Sequence, residues 1–317
     1  MTIAWSVAPA VLSVVASFTV GRRPARGSGR VQALTIAATA VGLAAATMVA
    51  LALLGWFAVA RLGPVAERGH WSPALLQADA PVPAPLSLLA LILLTAAVAN
   101  AARRIRTNVL QLRQAHQLLP PETGRLLVLP ATEVAAFSLA GLPRNPARIV
   151  ITRGLLDALP AAIDRDAVIE HEQAHLRCHH YAIRVGVAIA TAANPLLAPL
   201  RQRTDLALER WADDVAAQKT NAPAIATAIA TVAQAAQPPG MSRPKRPVAA
   251  ALFMAGGPVL LRVDQLLHPQ PGAHRQATLW AALLLGAATT TVAVTWHGTE
   301  GFFETLITVG AHSTAAR

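Results

Sequence analysis

The residues best suited to chemistry lie in one short segment near the middle of the chain. His171, Glu172 and His175 form the pattern His-Glu-x-x-His, which chance would produce in about one such sequence in a hundred. On an α-helix, residues four apart share a face and lie about 6 Å apart along the axis, so both imidazoles can reach one Zn²⁺. Glu172 then lies beside the metal, where its carboxylate can take a proton from water. The pattern therefore predicts a metal-assisted hydrolytic site.

A catalytic zinc site needs a third protein ligand, and acidic residues downstream of the motif supply the candidates. These candidates are Asp205, Glu209, Asp213 and Asp214. Glu209 and Asp213 are four residues apart, so one helical face presents both. We expect Glu209 to bind the metal and Asp213 to orient a ligand histidine through its second ring nitrogen. The alternative is a solvated acidic face paired with nearby arginines, which we would favour if the histidine motif were absent.

The polar residues that follow the motif are weaker candidates. In a straight helix, His179 would lie about 12 Å from His171, too far to complete the same tetrahedron. We interpret His179 and His180 as surface residues or as neighbours of the ligands. Tyr181 is the only tyrosine, and we interpret it as a packing residue. Cys178 is the only cysteine, which excludes an intrachain disulfide framework and a zinc site made of cysteines alone.

The elements around the motif predict an α+β domain. No proline or glycine interrupts residues 161–185, so a helix carries the motif. Apolar and β-branched residues predict short strands at 126–130, 135–141 and 148–152. The strand near 135–141 could hold an extended peptide by main-chain pairing if it lies at the sheet edge. We expect residues 223–236 to form a further helix outside the membrane.

The composition places this domain in a membrane protein. Of 317 residues, 54% are hydrophobic and only 14% are charged, whereas soluble domains carry about 25% charged residues. Crossing the bilayer takes about 20 helical residues, and four uncharged stretches are long enough: 1–21, 31–60, 80–102 and 276–299. The first lacks a basic start and a cleavage site, so we expect a retained anchor. Residues 185–200 are shorter and contain prolines, which favours a buried or interfacial helix.

The basic residues predict the orientation of these spans. The chain carries a net charge of +11 and is 4% aromatic. Such low aromatic content disfavours nucleic-acid binding, and the excess of arginine is typical of cytoplasmic loops. The 21–32 loop has four arginines and no acid, and residues 102–276 hold 20 basic against 12 acidic residues. We expect both to face the cytoplasm, with 61–84 and 297–317 outside.

Four segments together resemble the integral-membrane gluzincin peptidases. These segments are residues 136–141, Ala-Phe-Ser-Leu-Ala-Gly, residues 149–156, Ile-Val-Ile-Thr-Arg-Gly-Leu-Leu, the motif at 168–175, and Glu209-x-x-x-Asp213. Two groups share this order: the BlaR/MecR-type antirepressor peptidases, and the HtpX-type and CAAX-protease-type enzymes. In both groups the matching positions imply that His171, His175 and Glu209 bind zinc and that Glu172 is the general base.

Spacing makes the chain more similar to the BlaR/MecR type. Three predicted spans precede the domain, one follows it, and 34 residues separate His175 from Glu209. The HtpX type inserts a membrane hairpin at that point. Two departures stand out: HtpX-like enzymes usually have Asn where Ala135 stands, and BlaR/MecR proteins carry a penicillin-binding domain after the last span. Here 297–317 is too short for such a domain, so antibiotic sensing by acylation within this chain is not expected.

The sequence thus predicts a polytopic α-helical membrane protein with about four transmembrane helices and an α+β zincin-like metallopeptidase domain. Residues 1–101 hold three spans, 102–276 form the cytoplasmic peptidase domain, and 277–317 hold the fourth span and a short external tail. The expected cofactor is Zn²⁺, and the expected partners are the bilayer and a cytoplasmic protein substrate. No direct contact with nucleic acid is expected, and homo-oligomerisation stays open.

Three functional interpretations follow. The first is regulated cleavage of a cytoplasmic transcriptional repressor, such as a small winged-helix protein. The second is HtpX-like quality control of membrane proteins. The third is a non-catalytic membrane scaffold with a relic zinc site, which the complete set of three ligands and a base disfavours.

Overall fold

A computed structural model describes residues 3–22, 28–79, 82–120, 124–235 and 259–268, with single positions between 282 and 297. The predicted fourth span at 276–299 lies outside the described residues apart from those positions. The described helices are α1 Ile3–Arg22, α2 Gly29–Ala60, α3 Gly63–Gly69, α4 Pro73–Asp79, α5 Ala84–Gln117, α6 Arg153–Ala158, α7 Ala162–Arg177, α8 His180–Ala193, α9 Ala198–Ala217, α10 Ala222–Ala235 and α11 Val259–Leu267. The strands are β1 Leu126–Leu129, β2 Ala136–Leu139 and β3 Arg148–Thr152.

Two of these helices, α2 and α5, are long and apolar enough to cross a membrane. They correspond to the second and third predicted spans. Helix α1, Ile3–Arg22, covers the first predicted span, and it contains an apolar stretch over Ala8–Thr19. The predicted boundary between residues 101 and 102 lies inside α5, because this helix continues to Gln117 without a break.

The connection between α2 and α5 is folded and covers one end of both helices. It contains α3 and α4, and the Trp71 indole donates a hydrogen bond to the Ala60 carbonyl, 3.0 Å away. Leu76 and Val82 are buried against Phe57. This packing holds the two long helices together at the end that the sequence assigns to the outside.

Helices α8 and α9 form a hairpin that packs against α1 and α2. A 3₁₀ turn at Pro195–Leu197 joins them. The side chain of Asn194 caps this turn by accepting from the Leu196 amide, and its amide nitrogen donates to Ser13 and Thr47 at 3.0 Å each. Because Asn194 is 3% exposed, these bonds satisfy a buried polar group that would otherwise destabilise the packing. The predicted single helix over 185–200 is instead the end of α8, the 3₁₀ turn and the start of α9. Val187, Leu197 and Leu200 are buried there, whereas Leu196 is exposed.

The sheet has the order β1-β3-β2, with β3 parallel to β1 and antiparallel to β2. Ile149, Val150 and Ile151 of β3 are all buried, as expected for a central strand covered on both faces. All three strands lie where the sequence predicted them, and β2 is an edge strand. The core beneath the sheet joins β3 to α6, α7 and α10.

Candidate metal centre

The predicted motif lies on α7, which begins after a proline and carries Asp164 in its first turn. Negative charge there is favourable to the helix dipole. The helix does not continue to residue 185, because it ends at Arg177 and His179 adopts a left-handed conformation with φ 54°. That residue reverses the chain into α8. The predicted uninterrupted helix is therefore divided into two, and the break changes the position of the next histidine.

The structure brings His171, His175 and Glu209 together at the meeting of α7 and α9. Their ligand atoms all lie within 4.8 Å of one another. The two Nε2 atoms are 3.2 Å apart, and each lies 3.5 Å from one oxygen of the Glu209 carboxylate. All three side chains are largely buried. Spacing alone predicted that His171 and His175 lie together, and Glu209 was the expected third ligand. The fold brings all three together through two packed helices.

The donor set fits a zinc ion. Ligand atoms about 2.0–2.1 Å from a tetrahedral centre lie about 3.3 Å from one another. The distances of 3.2 and 3.5 Å between the donors are close to this value. Two imidazoles and one carboxylate are also the ligand types of catalytic zinc sites that keep one position open for water. The residues present can therefore hold the metal without a change in their backbone positions.

Asp213 lies where it can orient the first histidine. Its Oδ1 is 2.9 Å from Nδ1 of His171, and the carboxylate is 2% exposed. Burial opposes ionisation of Asp213, but Arg262 and the bond to His171 outweigh it and lower its pKa. An ionised carboxylate at Nδ1 fixes the ring and directs Nε2 toward the other ligands.

The second histidine is oriented by His180, for which the sequence analysis predicted no defined role. Nδ1 of His180 lies 2.8 Å from Nδ1 of His175, and His180 is fully buried. Burial, with Arg184 nearby, lowers the pKa of His180 to about 3, so its ring is neutral and can accept the hydrogen bond. Its other face packs on Trp211. The break between α7 and α8 brings His180 into this contact. No glycine or proline marks the break in the sequence.

Two arginines that the sequence did not single out complete the polar surroundings of the site. Arg262 of α11 donates to both oxygens of Asp213, at 2.7 and 2.8 Å, and lies 3.4 Å from Glu209. Arg184 of α8 donates to Glu209 and, at 3.2 Å, to Asp205. Burial opposes ionisation of Glu209, but His175, His171 and these arginines hold its pKa well below the usual range. Glu209 is therefore a carboxylate, the form that binds metal.

Glu172 lies next to the donor triangle on α7. Burial raises its pKa, and the side chain of Ser138 in the edge strand β2 faces it closely enough to influence that pKa. The contact links the candidate base to the strand that could hold an extended peptide. A carboxyl group held beside the reacting atoms can accept a proton and then return it.

The remaining candidates lie away from the donors. Tyr181 donates to the Asn108 carbonyl of α5 at 3.3 Å, and its side chain is exposed rather than packed in the core. His179 is exposed. Asp205 pairs with Arg184, and Asp214 is exposed on α9. None of these four belongs to the cluster formed by His171, His175 and Glu209.

Comparison with known proteins agrees with this geometry. Searches of curated proteins and of solved structures gave no match. The family comparison matches residues 99–249, just under half of the chain, which begin within α5 and include both histidines and Glu209. Arg262 lies outside the matched segment. The segment that carries the metal centre is similar to peptidase family M48.

Proposed function

We propose that the chain is a membrane-associated, zinc-dependent endopeptidase. The observation that carries this proposal is the triangle of donors formed by His171, His175 and Glu209, with Glu172 beside it. The similarity of residues 99–249 to a peptidase family supports hydrolysis of peptide bonds. The two long apolar helices support membrane association.

Each residue around the site then has a defined task. Zn²⁺ held by His171, His175 and Glu209 would supply Lewis acidity to the scissile carbonyl and to water. Glu172 accepts a proton from the attacking water as the new carbon–oxygen bond forms. It passes that proton to the amide nitrogen as the carbon–nitrogen bond breaks, so the products are a carboxylic acid and an amine. Ser138 of β2 faces the Glu172 carboxyl group and helps to keep it in place.

The variant Glu172→Gln tests this assignment. Because Glu172 is not a ligand, the variant should fold and keep its zinc. It should lose proteolysis by about 10²–10⁴-fold, the range for loss of a general base. Purified full-length proteins can be compared on unfolded casein, with zinc measured in the same samples. Equal rates for the variant and the parent protein would reject catalysis at this site and favour a scaffold with a relic metal site.

The arrangement in the membrane is part of the proposal. Helices α2 and α5 would span the bilayer, and residues 102–276 would lie in the cytoplasm, as the arginine-rich segments favour. The substrate would then be a cytoplasmic protein or a cytoplasmic tail. Regulated cleavage of a small winged-helix repressor is the first candidate, in line with the BlaR/MecR resemblance.

Quality control of membrane proteins is the second candidate, and one observation favours it. The segment between His175 and Glu209 contains most of the α8–α9 hairpin, which packs against α1 and α2. The HtpX type carries a membrane hairpin at this place, so α8–α9 shares its position in the chain, although its contacts with the first part of α2 place it beside the peptidase domain. Comparing cellular proteins in a deletion strain and in a Glu172→Gln strain separates the two candidates. Accumulation of one intact repressor supports the first, whereas persistence of many damaged membrane proteins supports the second.

A further inference from the structure

The length of helix α5 gives the distance between the membrane and the site, because the helix contains a predicted span and also contacts the strand next to the site. Its residues 84–102 carry no charge, and 19 helical residues extend about 28 Å, close to the hydrocarbon thickness of about 30 Å. Arg103, Arg104 and Arg106 follow at once. Charged side chains in a row mark the end of the hydrocarbon region.

The same helix continues past these arginines to the level of the site. Nε2 of His116 lies 2.9 Å from the Ala140 carbonyl, directly after β2. Helix α7, which carries Glu172, packs against β2, and the side chain of Ser138 faces Glu172 closely enough to influence its pKa. From Arg103 to His116 the helix rises about 20 Å. The candidate base therefore lies about that far from the membrane boundary.

Helix α2 gives the same distance independently. Gly55 of α2 lies so close to α5 that a Cβ at this position would be 3.1 Å from the Leu91 backbone. In an antiparallel pair of helices, Arg103, which follows Leu91 by 12 residues, is level with about residue 43, which precedes Gly55 by 12 residues. At the other end, Gly29 packs against the α9 backbone at Ala207 and Trp211, on either side of Glu209 in sequence. Helix α2 rises about 21 Å from Gly29 to residue 43.

This register also explains why the apolar stretch of α2 is longer than a span requires. Residues 31–60 lack charge, yet about 20 residues suffice to cross. In the first part of the stretch, Ala33 packs against Ala207 and Leu208, and Ala40 packs against Leu197 and Leu200. One face of that part is buried against the peptidase domain, whereas Leu34 and Val41 are exposed. The later part, from about residue 43 to residue 60, is long enough to cross the hydrocarbon region alone. The uncharged stretch therefore does not bring the site into the bilayer.

We propose that the site cuts peptide bonds in the aqueous phase about 20 Å from the membrane boundary. In a membrane-anchored substrate, the cut would fall at least about six residues from the last embedded residue, since an extended chain covers at most about 3.3–3.6 Å per residue. The proposal rests on the proposed function and on the spans assigned to α2 and α5. It selects soluble segments and tails as substrates and excludes bonds within the bilayer.

The depth of the boundary can be measured without any catalysis. In a Cys178→Ser background, single cysteines replace Leu89, Val98 and Leu110, three exposed apolar positions of α5. Each full-length protein is labelled with a fluorophore and placed in vesicles that contain brominated lipid. Quenching should be strong at residues 89 and 98 and lost at residue 110. Equal quenching at residues 89 and 110 would place the site at the membrane surface and overturn the proposal.

The cutting rule needs an anchored substrate. A single membrane span is joined to a long unstructured linker and a folded reporter, and the cut positions are mapped by mass spectrometry, with Glu172→Gln as the control. Cuts should begin about six residues from the span. Cuts within the first three linker residues or inside the span would overturn the rule. If the parent protein cuts neither this linker nor casein while the quenching pattern holds, the proposed function fails and the cutting rule fails with it, but the measured depth stands.

Discussion

At the scale of single residues, the two ligand histidines are held by different partners. Asp213, an anion, holds His171, whereas the neutral ring of His180 holds His175. A partner at the second nitrogen fixes the tautomer and the ring orientation. The orientation of His175 therefore depends on His180, which the sequence analysis interpreted either as a surface residue or as a neighbour of the ligands.

Replacing His180 should weaken metal binding. We expect His180→Leu to lower zinc affinity by about 10–100-fold, the usual effect of losing a partner of a ligand histidine, and His180→Asn, which keeps an acceptor oxygen, to recover part of the loss. Competition with a chelator measures the affinity. His179→Asn is the matched control, because His179 is exposed and its left-handed conformation suits asparagine. Equal affinities for His180→Leu and His179→Asn would show that the contact does not position the ligand.

Zinc binding should also release a proton from His171. Burial lowers the pKa of this histidine, but the bonds to Asp213 and Glu209 outweigh burial and raise it to about 10 in the metal-free protein. The metal needs the neutral imidazole, so at about pH 8 binding should release about one proton, and affinity should rise by about tenfold per pH unit up to about pH 10. Titration calorimetry in two buffers of different ionisation enthalpy measures the release. A histidine with its ordinary pKa would release almost none, which would leave only the proton lost by the zinc-bound water.

At the scale of elements, the site depends on how closely α2 approaches α9. A Cβ on Gly29 would lie 2.5 Å from the Trp211 nitrogen and 2.9 Å from the Ala207 oxygen. Both atoms belong to the backbone of the helix that carries Glu209, so neither can move aside alone. The contact thus couples α2, which is long and apolar enough to cross a membrane, to the helix that carries Glu209 of the candidate metal centre.

Gly29→Ala should separate these helices. We expect it to destabilise the protein by about 1–3 kcal/mol, as overpacking usually does, and to lower zinc affinity because α9 shifts. Gly186 of α8 is the matched control, since a Cβ there meets nothing within 4 Å. Gly186→Ala should be neutral or stabilising by up to about 1 kcal/mol through helix propensity. Thermal unfolding in detergent compares the two, and a Gly29→Ala protein as stable as the parent would contradict the close approach.

The strands and the helices that bear the ligands could be predicted from the sequence because their signals are local. The apolar run of β3 and the i, i+4 spacing of His171 and His175 need no knowledge of the fold. The position of His180 was not predictable in this way, because it depends on a left-handed residue that is neither glycine nor asparagine. Arg262 was missed for another reason: 49 residues separate it from Asp213, and no spacing rule covers such a contact.

At the scale of the whole molecule, the described helices do not divide cleanly into a membrane part and a soluble part. Helix α5 is continuous across the predicted domain boundary, and the first half of α2 is buried by α8 and α9. The sequence indicated how long the apolar stretches are, but not whether lipid or protein surrounds them, because the bilayer and a protein core favour similar residues. A change in the spans can therefore reach the metal centre through rigid helices.

The metal content of the purified full-length protein shows whether the three donors bind a metal ion. If His171, His175 and Glu209 form the site, elemental analysis should find about one zinc per chain. His171→Ala should nearly abolish this zinc, Glu209→Ala should weaken its binding, and Glu172→Gln should keep it, which also shows that a variant at this place can fold. Full zinc occupancy in a folded His171→Ala/His175→Ala double variant would contradict the account.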